Sequence, residues 1–265
     1  MGFTFCHPAA VLLLPRRRLV LSALIAGSMA PDVSYFSHLS LPLDFTQTIR
    51  GIFLFSLPIA FLLLILFHKS LKQPLIDLMP LPVQQRLWPS CKRFSFGPTT
   101  KFMLILVSLL LGILTHEMWD TCTSNRGWFA VSVVGFRSHL PGPRIWLQPH
   151  RIINTVLSIA ATVFLWCQCG RWLKTAARVQ NTPDASLSKR ARHWIRIMLP
   201  TAAIVVAAVI AFQTPLASKT LDGVLIKASE FAVLAIPILF LELLLFSVFW
   251  HAPRRIRKHA GSDAK

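Results

Sequence analysis

The chain has 265 residues, of which 54% are hydrophobic and only 14% charged, and its formal net charge is +18. A soluble domain carries about 25% charged residues; here the apolar residues fall in blocks and mean hydropathy is +0.58, which excludes an ordinary soluble fold and points to an all-α, multi-pass membrane protein. The positive charge lies between the apolar blocks and no nucleic-acid recognition module is visible, so the expected partners are the lipid bilayer and anionic lipid headgroups, not nucleic acid.

The N-terminal stretch HPAAVLLLPRRRLVLSALIAGSMAPD holds two short apolar pieces divided by Arg16, Arg17 and Arg18. Each is too short to cross a bilayer alone. A signal peptide cleaved after Ser28-Met29-Ala30 is one reading. Against it stand the long apolar region before the arginines and Pro31 directly after the cut. The preferred reading is a re-entrant or tilted helical hairpin, which membrane depth allows only where protein covers its polar backbone.

Five segments then read as full spans: Ile52 to Phe67, Phe102 to Leu114 running on into THEMWD, Ile152 to Leu173, Ile197 to Phe212, and Phe231 to Trp250. Pro58, Pro200 and Pro237 fall within or at the ends of these spans, where a helical membrane protein tolerates them as kinks. The fold expected is thus five full spans plus the N-terminal hairpin. Residues 1–175 form one region, and 176–265 add two spans and a basic tail.

Lys and Arg set the orientation. Residues 69–101 hold six, 174–197 hold six and 251–265 hold five, against one in 31–51, four in 123–151 and two in 214–228. The positive-inside rule places the rich set, and the C-terminus, in the cytoplasm. Asp32, His38, His116, Asp120, His139 and His150 then share the outer side, with His7 joining them if the hairpin turns at the arginines. Trp128, Phe129 and Trp146 in the outer loop suit an interfacial aromatic belt. The tail APRRIRKH reads as a cytoplasmic lipid anchor.

THEMWD, Thr115 to Asp120, ends the second span. His116 and Asp120 are four apart on one helical face, a spacing that lets two side chains grip one ion. An imidazole nitrogen and a carboxylate oxygen suit zinc, manganese or iron. The competing reading is a His–Asp pair that caps the span at the interface. With Asp120 replacing the second His, His116-Glu117 also resembles the zinc-protease pattern H-E-x-x-H, in which Glu117 would be the general base. In GSMAPD, Pro31 ends a helix and puts Asp32 at its end, at a depth similar to His116 if the flanking basic residues mark one interface. Asp32 is alternatively a turn residue bonding its own backbone. The five cysteines, Cys6, Cys91, Cys122, Cys167 and Cys169, include no CxxC and read as small buried apolar residues. No P-loop, GxSxG, GxGxxG or internal repeat is present.

FTFCHPAAVLLL, LIAGSMAPD and GILTHEMWDTCTSNRGWF together resemble a bacterial domain-of-unknown-function family of multi-pass membrane proteins with F-T-x-x-H-P-A, G-S-x-x-P-D and T-H-x-x-W-D motifs. That family is distantly similar to inner-membrane metal-dependent hydrolases. The resemblance covers about residues 1–175. It implies one divalent ion held by His7, Asp32, His116 and Asp120, a bacterial cytoplasmic-membrane location, and a hydrolase-like activity at the outer face on a lipid or other membrane-associated phosphoester. Two departures stand out: Gln47 and Ser124 occupy places where the family tends to carry His, so chemistry that needs those histidines is lost here. The family position of Glu117 is usually apolar, which weakens the protease reading. A non-enzymatic protein whose His/Asp cluster ties helices together is the alternative.

Overall fold

The computed structural model describes residues 6–15, 18–36, 43–91, 94–123, 149–179, 187–213, 215 and 221–260. His38, Ser124, Trp128, Phe129, His139 and Trp146 lie outside them. The described residues are helical, with no strand among them. In chain order they form α1 (Pro8–Val11), α2 (Leu21–Met29), α3 (Val33–Phe36), α4 (Leu43–Thr46), α5 (Ile49–Leu78), α6 (Leu81–Leu87), α7 (Thr99–Thr123), α8 (Pro149–Thr175), α9 (Lys189–Ala211) and α10 (Leu221–Ala260). Five of these, α5 and α7 to α10, are long and apolar enough to cross a membrane.

The helices outrun the apolar segments that mark them. The first continues from Phe67 through His68, Lys69 and Lys72 to Leu78, and the fourth starts at Lys189, not Ile197. Hydrophobicity marks only where a helix meets hydrocarbon. Backbone hydrogen bonding carries it onward, and long basic side chains snorkel to water from helix ends. Proline shapes α5. Pro58 and Pro74 each lack the N–H of a regular turn. Each follows a widened turn, in which Leu57 N–H reaches back to Ile52 and Lys72 N–H to Phe67.

The chain splits into two compact units, Met1–Leu64 with Ser95–Thr175, and Ile65–Phe94 with Ala176–Lys265. In the first, α2 packs along α7. Helix α7 buries Ile105, Ser108, Leu109, Gly112, Ile113 and His116, a stripe of helical period. Its opposite side, with Leu114 and Met118, is exposed as a lipid-facing surface would be. The helices cross at Gly27 and Gly112. A Cβ on Gly27 would run into the Leu109 carbonyl, and one on Gly112 into the Leu24 carbonyl. Just below, Val20 N–H donates to Ser108 Oγ at 3.0 Å and fixes the start of α2. The hairpin is therefore two unequal pieces: α1 is a single turn, and only α2 is a full packing partner.

In the second unit, Ala203, Ala207 and Ala211 line α9 against α10 at four-residue spacing. Asp77, fully buried, accepts from Trp250 Nε1 at 2.8 Å and faces Arg192 Nη2 at 3.3 Å. Its carbonyl accepts from Arg192 Nε at 2.6 Å and Gln84 Nε2 at 2.7 Å. The Ser70 carbonyl, which Pro74 cannot engage, instead accepts from Ser247 Oγ at 2.7 Å and lies 3.1 Å from His251 Nε2.

Candidate metal centre

The buried stripe of α7 ends in polar residues. His116, one turn beyond Gly112, is 2% exposed. The glycine crossing brings the end of α2 against it, so that His116 Nδ1 lies 2.9 Å from the Ser28 carbonyl. A carbonyl only accepts, so Nδ1 carries the hydrogen and donates it. Nε2 then carries a lone pair in the neutral ring and is a second donor in the protonated one.

Nε2 of the same ring faces two carboxylates. Asp32 Oδ1 is 3.6 Å away and Asp120 Oδ2 is 3.5 Å away. Helix α2 ends at Met29, and the turn through Pro31 puts Asp32 beside the imidazole; Asp120 follows one turn along α7. Asp32 turns its other oxygen, Oδ2, toward His7 Nε2 at 3.8 Å. His7 sits at the N-terminus of α1, 2% exposed, its ring stacked on that of His116 with centroids 4.0 Å apart. Trp119 meets the His7 ring edge-on at 5.8 Å. The structure thus brings His7, Asp32, His116 and Asp120 together from three stretches of chain. His7, His116 and Asp120 can hold a metal ion: each offers a ligand atom, all within 4.8 Å of one another.

The distances bear on two kinds of contact. A hydrogen bond from an imidazole N–H to a carboxylate closes to about 2.7–3.2 Å. Ligands at 2.0–2.2 Å from a tetrahedral ion stand about 3.3–3.6 Å apart. The observed 3.5, 3.6 and 3.8 Å are longer than a closed hydrogen bond, and small shifts would bring the groups either to hydrogen-bonded ion pairs or around an ion. Burial, reinforced by the neighbouring His116, lowers the His7 pKa from 6.5 to about 3, so this ring is neutral at ordinary pH, the form that ligates.

Three surrounding groups complete the picture. Cys6 Sγ, 0% exposed, is 3.5 Å from Ser158 Oγ of α8. Cys6, Ala9 and Ala161 form a small apolar cluster under Trp119, Phe164 and Leu165. Glu117 carries a buried Oε1 with no hydrogen-bond partner among the described residues, as does His7 at Nδ1. Of the other cysteines described, Cys122 is partly buried, while Cys167 and Cys169 are exposed on α8 and not interior residues as their sequence suggests.

Sequence reasoning missed the Ser28 carbonyl, because a backbone atom leaves no residue-type signature. The spacing of Ser108 and Gly112, four apart and in step with His116, is a small-residue helix-contact signal that could have found the crossing. It also missed the buried Asp77–Arg192–Trp250 node. Gln47 is exposed in the turn between α4 and α5.

One family profile, described as a domain of unknown function (DUF4184), matches residues 1–248. No curated protein and no solved structure matches the chain.

Proposed function

We propose, for a chain that belongs to the DUF4184 family of unknown function, that His7, Asp32, His116 and Asp120 hold one divalent metal ion, and that the site hydrolyses a membrane-associated phosphoester, such as a lipid headgroup. One observation carries the reading: two imidazoles and two carboxylates converge, with ligand atoms of His7, His116 and Asp120 within 4.8 Å of one another and Asp32 Oδ1 3.6 Å from His116 Nε2. Carboxylate oxygens facing one imidazole nitrogen call for a positive charge, which a proton on His116 or a metal ion would supply. Two imidazoles and two carboxylates suit zinc, manganese or iron.

Bound there, such an ion would polarise a phosphoryl oxygen and acidify a water. The chain's own residues do the rest. Ser28 fixes the tautomer of His116. Burial keeps His7 neutral. Asp32 and Asp120, 14% and 26% exposed against 2% for each histidine, balance the charge and mark the side from which substrate enters. Glu117, its Oε1 buried and without a hydrogen-bond partner among the described residues, would move the proton. Charge distribution in the segments between spans supports an outer-face site in a bacterial cytoplasmic membrane, a cytoplasmic C-terminus and anionic lipid contacts on the basic side. In this reading residues 1–175 carry the chemistry and 176–265 support it.

A second reading, a non-enzymatic tie between helices, is favoured by the number of protein ligands. Four around a tetrahedral zinc close the coordination shell, as in structural sites. Phosphate release from mixed-lipid vesicles by protein loaded with zinc, manganese or iron(II) separates the two. Activity lost in His116→Ala supports the hydrolase; equal background in wild type and variant leaves only the tie.

A further inference from the structure

The cluster joins pieces of chain that differ greatly in their own stability. His116 and Asp120 stand on a 25-residue helix, and Asp32 follows the well-packed α2. His7 belongs to a short segment that packs on α2, α7 and α8 but has no long helix of its own. Helix α1 has four residues, and hydrogen bonds over 7–14 are short turns from Ala10 to His7, Leu12 to Ala9, Leu13 to Ala10 and Leu14 to Val11. Turns of this kind do not persist alone. The segment buries Cys6, His7, Ala9 and Val11, while Leu13 beyond it is exposed. No ion pair among the described residues fastens it apart from His7 against Asp32.

The polar attachments of this segment are Cys6 against Ser158 and His7 in the site, so His7 is the one that a metal ion would strengthen. Without a metal ion, His7 is held in the site by its stack on His116 and its contact with Asp32. A metal ion in the site would add a bond to His7 and so fasten the segment more tightly.

We infer that metal binding latches the N-terminal segment, residues 6–14, onto α2, α7 and α8, and that metal release frees it and uncovers Cys6, Trp119 and the wall of the site. The ion then acts as both cofactor and gate: the segment that supplies one ligand also covers the cluster of Cys6, Ala9 and Ala161. The inference rests on the metal reading above and assigns it a conformational consequence.

Cys6 is a built-in reporter, being 0% exposed when the segment is docked. Wild-type protein in detergent is treated with N-ethylmaleimide, in zinc or manganese chloride and again after EDTA. Labelling of each cysteine is followed by peptide mass spectrometry, and metal content is measured on the same samples. Cys6 is expected to label at least about tenfold faster after EDTA, the protection given by metal at about tenfold over its dissociation constant. Cys122 on α7 should change little. An unchanged Cys6 rate, with metal bound before and removed after EDTA, overturns the latch alone. Equal acceleration at Cys6 and Cys122 overturns it too, since the whole fold would then have loosened. Absence of bound metal in every sample overturns the metal reading and the latch with it.

Discussion

The Nδ1–H of His116 donates to the carbonyl of Ser28 at 2.9 Å, directly beyond the point where Gly27 and Gly112 let α2 and α7 touch. The orientation of the imidazole therefore depends on a helix crossing as well as on its neighbours in the cluster. Gly112→Ala inserts a methyl against the Leu24 carbonyl and must push the helices apart. Overpacking of this kind costs about 1–3 kcal/mol. Because α2 also carries the Ser28 carbonyl that orients His116, metal affinity should also fall, by about 10–100-fold. Metal titration of the folded variant checks this; unchanged affinity would separate the crossing from the site.

Glu117 is next to a proposed ligand but is not one of the set. Glu117→Gln should keep the metal, since the His7, His116 and Asp120 ligand atoms are untouched. If Glu117 moves the proton, turnover should drop by about 10²–10⁴-fold at unchanged metal content. Full activity would exclude it as the base.

The second unit offers a test of stability. Asp77 and Arg192 are both buried, and Trp250 holds the second carboxylate oxygen. Removing one partner strands the other, so Asp77→Ala or Arg192→Ala should each cost about 3–5 kcal/mol. Replacing both by leucine should recover much of that loss, because no unpaired charge remains buried. Thermal unfolding in detergent, with single and double variants side by side, measures the difference.

The sequence makes local relationships visible and hides distant ones. Four-residue spacing puts His116 and Asp120 on one face, and block hydropathy finds all five spans, because both follow from the geometry of a single helix. His7 is different. Nothing in the spacing of an N-terminal histidine says that it stacks on a ring more than a hundred residues away; only the resemblance to a motif family brought it to Asp32. Asp77 sits in what reads as a basic connection. Its partners are 115 and 173 residues distant, so neither periodicity nor a motif could pair them. Helix ends were misplaced for a simpler reason: hydropathy reports the bilayer, whereas hydrogen bonding and N-caps such as Ser188, which accepts from Ala191 N–H at 3.1 Å, set where a helix begins.

The central claim is that an ion belongs between the two histidines and the two carboxylates. Metal content of purified protein, by elemental analysis of wild type beside His116→Ala and Asp120→Ala, tests it most directly. The account predicts about one divalent metal per wild-type chain and its loss from both variants, since structural and catalytic sites alike depend on their full ligand set. The same trace metal in all three proteins would contradict it.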